Sequence, residues 1–213
     1  MASTAEPGRA DLRRYYDAEA AGRLRPANGP RRQHLLSQFI TLVQGEQRSM
    51  VLDLGAGPGR DLDGFTAAGL HAIGVDLAPA NAVAAATESL MVVPGDVSAP
   101  PIRHRSFDAG WSMSTLMHLT DEPLAATAAG MGRLFVVGAP IWIGLWGGVR
   151  HGYDDHHTID GESRHFAIRP ASDNRRLLAG IGAVEGEEIW DVGPDNWEYQ
   201  VFKLRVSDQI GVT

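Results

Sequence analysis

Three aspartates and a run of glycines carry the most chemistry in this sequence. The stretch VLDLGAGPGR (51–60) is apolar up to Leu54 and then turns on Gly55, Gly57 and Gly59. Glycine is needed where backbone must turn sharply and let a ligand approach with no Cβ in the way. A helix opening just beyond such a turn offers free amides to an anion or a polar group. Asp76 closes Gly74-Val75-Asp76, and Asp96 sits in Gly95-Asp96-Val97. Asp53, Asp76 and Asp96 are 23 and 20 residues apart, about one strand–helix unit each. All three are therefore expected at the carboxyl ends of successive strands, the edge on which open α/β sheets bind ligands.

The details of the loop bear on which ligand that is. Its spacing is G-x-G-x-G, whereas the dinucleotide fingerprint is G-x-G-x-x-G. Asp53 just before the loop would crowd a diphosphate with negative charge. A ligand that carries an ammonium and a sulfonium but no phosphate tolerates that carboxylate, and S-adenosylmethionine (SAM) is such a ligand. Asp76 is then expected to accept from both ribose hydroxyls, and Asp96 from an adenine amino group.

Around these residues the apolar pattern alternates between strands and helices. Short apolar runs at 50–54, 71–75, 90–93, 107–112 and 141–146 read as strands. Residues 61–68, 80–89 and 123–135 read as helices, the last opened by Thr120-Asp121-Glu122-Pro123, which is good N-terminal chemistry. Leu35, Leu36, Phe39, Ile40 and Val43 recur at helical spacing in 31–43. Near the end, 172–179 reads as a helix, and 187–192 and 197–206 as two strands joined by the turn signal Gly193-Pro194-Asp195-Asn196. The expectation is an α/β fold with a doubly wound, mostly parallel sheet closed by a C-terminal antiparallel hairpin. Residues 1–30 read as an N-terminal arm or lid with a helix around 11–21, and 31–213 as one domain.

With those elements in place the sequence resembles the class I SAM-dependent methyltransferases. The matching pieces are VLDLGAGPGR (51–60), GVDLA (74–78), PGDV (94–97), SFDAGWSMSTLMHL (106–119) and WEYQVFKLR (197–205), within roughly 35–206. The resemblance implies a Rossmann-like sheet of seven strands whose last is antiparallel. With SAM as the cofactor, contacts are expected at Asp53, Gly55, Ala56, Gly57, Asp76, Leu77, Asp96, Val97, Ser112 and Met113. One departure is the apolar segment 135–140, which stands where a glycine turn usually precedes the fifth strand.

Methyl transfer needs alignment above all, and a base only where the nucleophile is protonated. His118, just past the fourth strand, is the first candidate base, or else a buried histidine bonded to the scaffold. His151 is a further candidate, as is Tyr16, which with Tyr15 could close over the cofactor or simply pack its helix on the domain. Arg13 and Arg14 could clamp a carboxylate or be solvated. Residues 147–170 read as a hydrophilic loop over the pocket, suited to choosing the substrate. The loop holds His151, His156, His157 and His165 with several acids, but their spacing matches no standard metal site, so no metal is expected. Trp142, Trp146 and Tyr153 could form an aromatic wall or fill core.

Composition bounds the rest. The 213 residues carry a net charge of −7 and no cysteine, which excludes disulfides, thiolate nucleophiles and iron–sulfur radical chemistry. Lys203 is the only lysine among nineteen cationic side chains, and no dense basic stripe suits a phosphate backbone. No apolar run is long enough to span a bilayer, and the polar start does not read as a signal peptide. These features suggest a cytoplasmic enzyme, monomeric or homodimeric, that methylates oxygen or nitrogen of a small molecule. The setting expected for it is bacterial specialised metabolism, without nucleic acid or membrane partners. A SAM-binding sensor without turnover and a nicotinamide-dependent oxidoreductase are the alternatives.

Overall fold

The computed structural model describes residues 8–21, 28–148, 152–159, 162–192 and 197–208. Five parallel strands form the left and centre of the sheet: β1 (Met50–Leu54), β2 (His71–Asp76), β3 (Val92–Pro94), β4 (Ala109–Met113) and β5 (Pro140–Gly148). The chain ends in β8 (Gly182–Asp191) and β9 (Trp197–Val206), with β9 antiparallel to both β5 and β8. The order across the seven strands is β3-β2-β1-β4-β5-β9-β8. The order reverses between β1 and β4, which opens a crevice at their carboxyl ends.

Alternation along the strands sorts side chains onto two faces. Val51, Ala109, Trp111 and Trp142 pack with Leu35, Leu36, Phe39 and Val43 of α2 (Pro30–Gly45) and with Leu62 and Phe65 of α3 (Leu62–Ala67). Leu52, Leu54, Ile141, Ile143 and Leu145 face the other way. They meet Leu124, Ala128 and Met131 of α5 (Asp121–Met131) and Leu177 and Leu178 of α6 (Ala171–Leu178). A helix on each face of a mainly parallel sheet buries both sides, the doubly wound arrangement the sequence predicts.

Three segments differ from their sequence reading. Residues 147–170 are not a loop: β6 (Gly152–Ile159) and β7 (Glu162–Ile168) form a separate antiparallel hairpin. Pairing satisfies backbone groups that a structureless insertion of this length would leave to water. β8 starts at Gly182, five residues earlier than expected, with a register shift between Val184 and Gly186. Within 135–140, Phe135 bridges Phe107 and the Gly138 amide donates to Val206 O at 2.9 Å, so this apolar segment is tied into the sheet edge.

The N-terminal helix α1 (Arg9–Ala21) packs on α4 (Pro79–Thr87) and on β7. Tyr15 is its buried anchor. Asp17 accepts from the Ala80 amide at 3.1 Å, placing a carboxylate where the first turn of α4 exposes free donors.

Candidate functional site

β1 stops at Leu54 because the backbone turns there, with Gly55 at φ 81° and Gly57 at φ 56°. A Cβ on Gly55 would run into the Thr115 side chain, while a Cβ on Gly57 would meet nothing within 4 Å. The first glycine thus lets the loop pack on the turn after β4, and the second leaves a bare backbone face on open space. Asp76 fixes this turn from the end of β2. Its Oδ2 accepts from Gly57 N at 2.7 Å, and its Oδ1 from Ala78 N at 2.9 Å and Asn81 Nδ2 at 3.0 Å. Burial raises its pKa against those three hydrogen bonds, and the Asp17 charge adds to the rise. An ionised carboxylate offers about four acceptor sites, so three bonds leave about one for a ligand. Asp96 is engaged too: Oδ1 accepts from Ser98 N and Oγ, both at 2.8 Å, and Oδ2 pairs with Arg9 of α1 at 2.9 Å.

Beneath the loop lies a buried polar knot. Asp61 is 1% exposed and accepts from Asn28 Nδ2 at 2.6 Å, Trp111 Nε1 at 2.7 Å and Arg32 Nε at 2.9 Å, with Arg32 Nη2 closer still. This ties the start of α2 to the end of the glycine turn. Asp53 is buried beside the knot. Burial and the neighbouring Asp61 charge push its carboxyl well above the usual carboxylate range, opposed by Arg32.

The other end of the site grows from the 3₁₀ turn Leu116–His118 that follows β4. His118 Nδ1 donates to the His165 carbonyl of β7 at 2.7 Å. With that proton assigned, Nε2 keeps its lone pair and accepts from the Tyr16 hydroxyl of α1 at 2.8 Å. Burial lowers the His118 pKa to about 4, aided by the Arg164 and His165 charges and opposed by the His165 carbonyl. Burial pushes Tyr16 up to about 12; Arg164 opposes this through charge and hydrogen bonding, whereas Glu19 and Asp76 add to it. Both side chains are therefore neutral at pH 7, and the hydrogen bond runs from tyrosine to histidine. A buried arginine holds the frame. Arg169, 1% exposed, donates to Leu119 O at 2.5 Å, Asp121 Oδ1 at 2.7 Å and Ala167 O at 3.3 Å, clamping the end of the hairpin to the turn that carries His118.

A cavity of about 730 Å³ joins the two ends. Gly55, Ala56 and Gly57, Asp76 and Leu77, Asp96 and Val97, and Met113 all line it, as do Tyr16 and His118. Two expected positions do not. Asp53 lies under the loop and not on its open side. Ser112 is buried, and its hydroxyl donates to Leu54 O at 2.7 Å. The wall at that strand end is Met113, Ser114 and Thr115. His151 lies outside the described residues. Among the described residues no group of three or more acids and histidines is arranged to hold a metal.

Comparison with known proteins agrees with this geometry. Residues 51–138, from β1 to the threshold of β5, match the methyltransferase domain family. The matched segment, under half of the chain, is similar to a methyltransferase domain. An uncharacterized methyltransferase of Mycolicibacterium gilvum is 30% identical over 150 residues, 64% of this chain and 58% of that protein. The chain thus spans less than two thirds of that relative. A SAM-dependent methyltransferase from Methanosarcina mazei superposes with a TM-score of 0.70 at 12% identity, covering 86% of this chain and all of that one. The 1,6-didemethyltoxoflavin-N1-methyltransferase of Burkholderia thailandensis, solved with 1,6-didemethyltoxoflavin and S-adenosylhomocysteine, gives 0.62 at 20% identity over 87% and 94% of the two chains.

The methyltransferase domain family that residues 51–138 match implies SAM as a cofactor, and the residues present fit it. The bare face at Gly57, an acid with an acceptor site left at the end of β2, and a second acid after β3 suit a nucleoside without phosphate. With its pKa raised, Asp53 repels a diphosphate less than its sequence position suggests, so the glycine spacing carries that distinction. Sequence reading missed Arg164 and Phe166, and also Trp190, Val192, Trp197 and Tyr199, all of which line the cavity. The apolar positions Phe166 and Ile168, two apart, were the signal for β7; nothing local marked Arg164 as facing His118.

Proposed function

We propose that this protein transfers a methyl group from SAM to an oxygen or nitrogen of a small molecule bound between α1 and the β6–β7 hairpin. The observation that carries the reading is the continuous cavity. It runs from the glycine turn, Asp76 and Asp96 to the Tyr16–His118 pair. When bound, SAM supplies a methyl carbon already activated by its sulfonium. The Gly55–Gly57 backbone would cradle the amino acid part, Asp76 a ribose hydroxyl, and Asp96 with Val97 the adenine. Arg9 would have to share or release Asp96 for this.

Tyr16 donates its proton to His118 and accepts from Arg164, which leaves its oxygen about one acceptor site for the acceptor molecule. His118 is too weakly basic to serve as a strong base, so the pair orients the nucleophile. Alignment of this kind can supply about 7–11 kcal/mol. The Burkholderia neighbour, with a small molecule and S-adenosylhomocysteine bound together, supports a small acceptor. So does the net charge of −7, which disfavours nucleic acid. No helix among the described residues is long and apolar enough to cross a membrane.

The test is to incubate the protein with methyl-labelled SAM and three pools: a metabolite extract, protein and RNA. Label confined to the metabolite fraction is expected. Label in protein or RNA alone would overturn the small-molecule reading, and no label despite S-adenosylhomocysteine binding would leave a SAM-binding protein without turnover.

A further inference from the structure

We infer that the acceptor is a planar aromatic anion, a carboxylate or an acidic phenol, whose ring lies against Phe166, Trp146 and Trp197 and whose charge faces Arg164. The inference rests on the methyl-transfer reading above and names the substrate class of the same site.

Arg164 stands on β7 in the cavity wall. Its guanidinium carbon is 4.9 Å from the centre of the Phe166 ring and 5.3 Å from that of Tyr15, so stacking fixes it in place. Its Nε is buried and has no hydrogen-bond partner among the described residues. Arg164 also hydrogen-bonds the Tyr16 hydroxyl, but none of the ion pairs found among those residues neutralises its charge, whereas Arg9 pairs with Asp96 and Arg32 with Asp61. A buried donor left unmade is costly, and more so where charge is involved. An anion bound in the cavity beside the guanidinium would offset the uncompensated charge. Glu19 and Asp76 act on Tyr16 from the α1 and β2 sides, so a carboxylate on the ligand is best placed on the β7 side, away from both.

Beside this cation the wall is aromatic. Trp146 and Trp197 stand edge to face at 5.7 Å, and Phe166 and Trp197 at 5.9 Å. Trp146 and Tyr199 repeat the geometry at 5.8 Å. Rings so arranged offer faces to a planar ligand. They could also cage an ammonium group, but the Arg164 charge opposes that. An ionised oxygen also suits the weak basicity of His118. As it forms its bond to the methyl carbon, the carbon–sulfur bond breaks, the electron pair leaves on sulfur, and no proton has to move.

Calorimetry on the full chain saturated with S-adenosylhomocysteine tests this, with 2-naphthoate, 2-naphthamide and 2-naphthylmethylamine as probes. The naphthoate should bind at least about tenfold tighter than the amide, as expected for a charge-assisted hydrogen bond. Arg164→Gln should erase that preference and Arg164→Lys retain part of it, with S-adenosylhomocysteine binding serving as the control for folding. Equal binding of acid and amide, tighter binding of the amine, or no binding of any probe overturns the inference while leaving methyl transfer standing. Failure of S-adenosylhomocysteine to bind the unaltered protein overturns the methyl-transfer reading, and this inference with it.

Discussion

At the glycine-turn end of the cavity, the wall comes from short loops at the carboxyl edge of β1, β2 and β3, each beginning within a few residues of its strand. At the His118 end, it is assembled from α1, the turn after β4, β7 and the terminal hairpin, which are far apart in the chain. The first end is held by the backbone itself: Asp76 binds amides of the two loops it joins. The second is held by side chains reaching across long separations, such as Tyr16 to His118 over 102 residues and Arg169 to Asp121 over 48. A ligand shared by many proteins can be served by a local device, whereas a particular acceptor needs parts that vary independently.

The largest effect is expected where the long-range end is pinned. Arg169→Met removes three hydrogen bonds from a buried cation and should lower unfolding stability by about 3 kcal/mol, read by denaturant titration. An unchanged midpoint would mean that the hairpin is held without it. At the local end, Asp76→Ala should weaken S-adenosylhomocysteine binding by about tenfold to a hundredfold, the range for lost hydrogen bonds to a charged group. Intact affinity in calorimetry would break the proposed division between the two ends.

Smaller effects separate the ends further. Tyr16→Phe keeps the ring and removes the hydroxyl's hydrogen bonds to His118 and Arg164, so turnover should fall about tenfold with S-adenosylhomocysteine affinity unchanged. A parallel loss of affinity would show that α1 serves the donor as well. The His118 pKa, near 4 when folded against about 6.5 when unfolded, means that the unfolded chain binds more protons between those values. Stability should therefore fall as pH drops from about 6.5 toward 4, and His118→Gln should flatten that slope in thermal melts. Arg9→Ala, at an exposed ion pair worth less than about 1 kcal/mol, should shift S-adenosylhomocysteine affinity by no more than about fivefold, toward tighter binding as Asp96 is freed. Weaker binding would instead mark Arg9 as a clasp over the cofactor.

The same contrast explains what could be read from the sequence. The glycine turn and the acids at 76 and 96 announce themselves because their signals are local: a spacing of glycines and an aspartate closing an apolar run. The sheet order follows from alternating strands and helices. Asp53 misled because burial beneath the loop is a tertiary fact, and its apolar neighbours Leu52 and Leu54 give no sign of Arg32 and Asp61 packing beside it. Residues 147–170 read as a loop because charged and histidine residues mask the alternation of β7. The pairing of Tyr16 with His118, and the approach of Arg164 to both, depends on how α1 and the hairpin dock, which no window of sequence contains.

The most direct measurement is calorimetric binding of S-adenosylhomocysteine and of NAD to the unaltered protein. A site made of a G-x-G-x-G turn, Asp76 and Asp96 should bind S-adenosylhomocysteine and leave NAD unbound. Binding of NAD with none of S-adenosylhomocysteine would contradict the assignment of methyl transfer and leave only the fold.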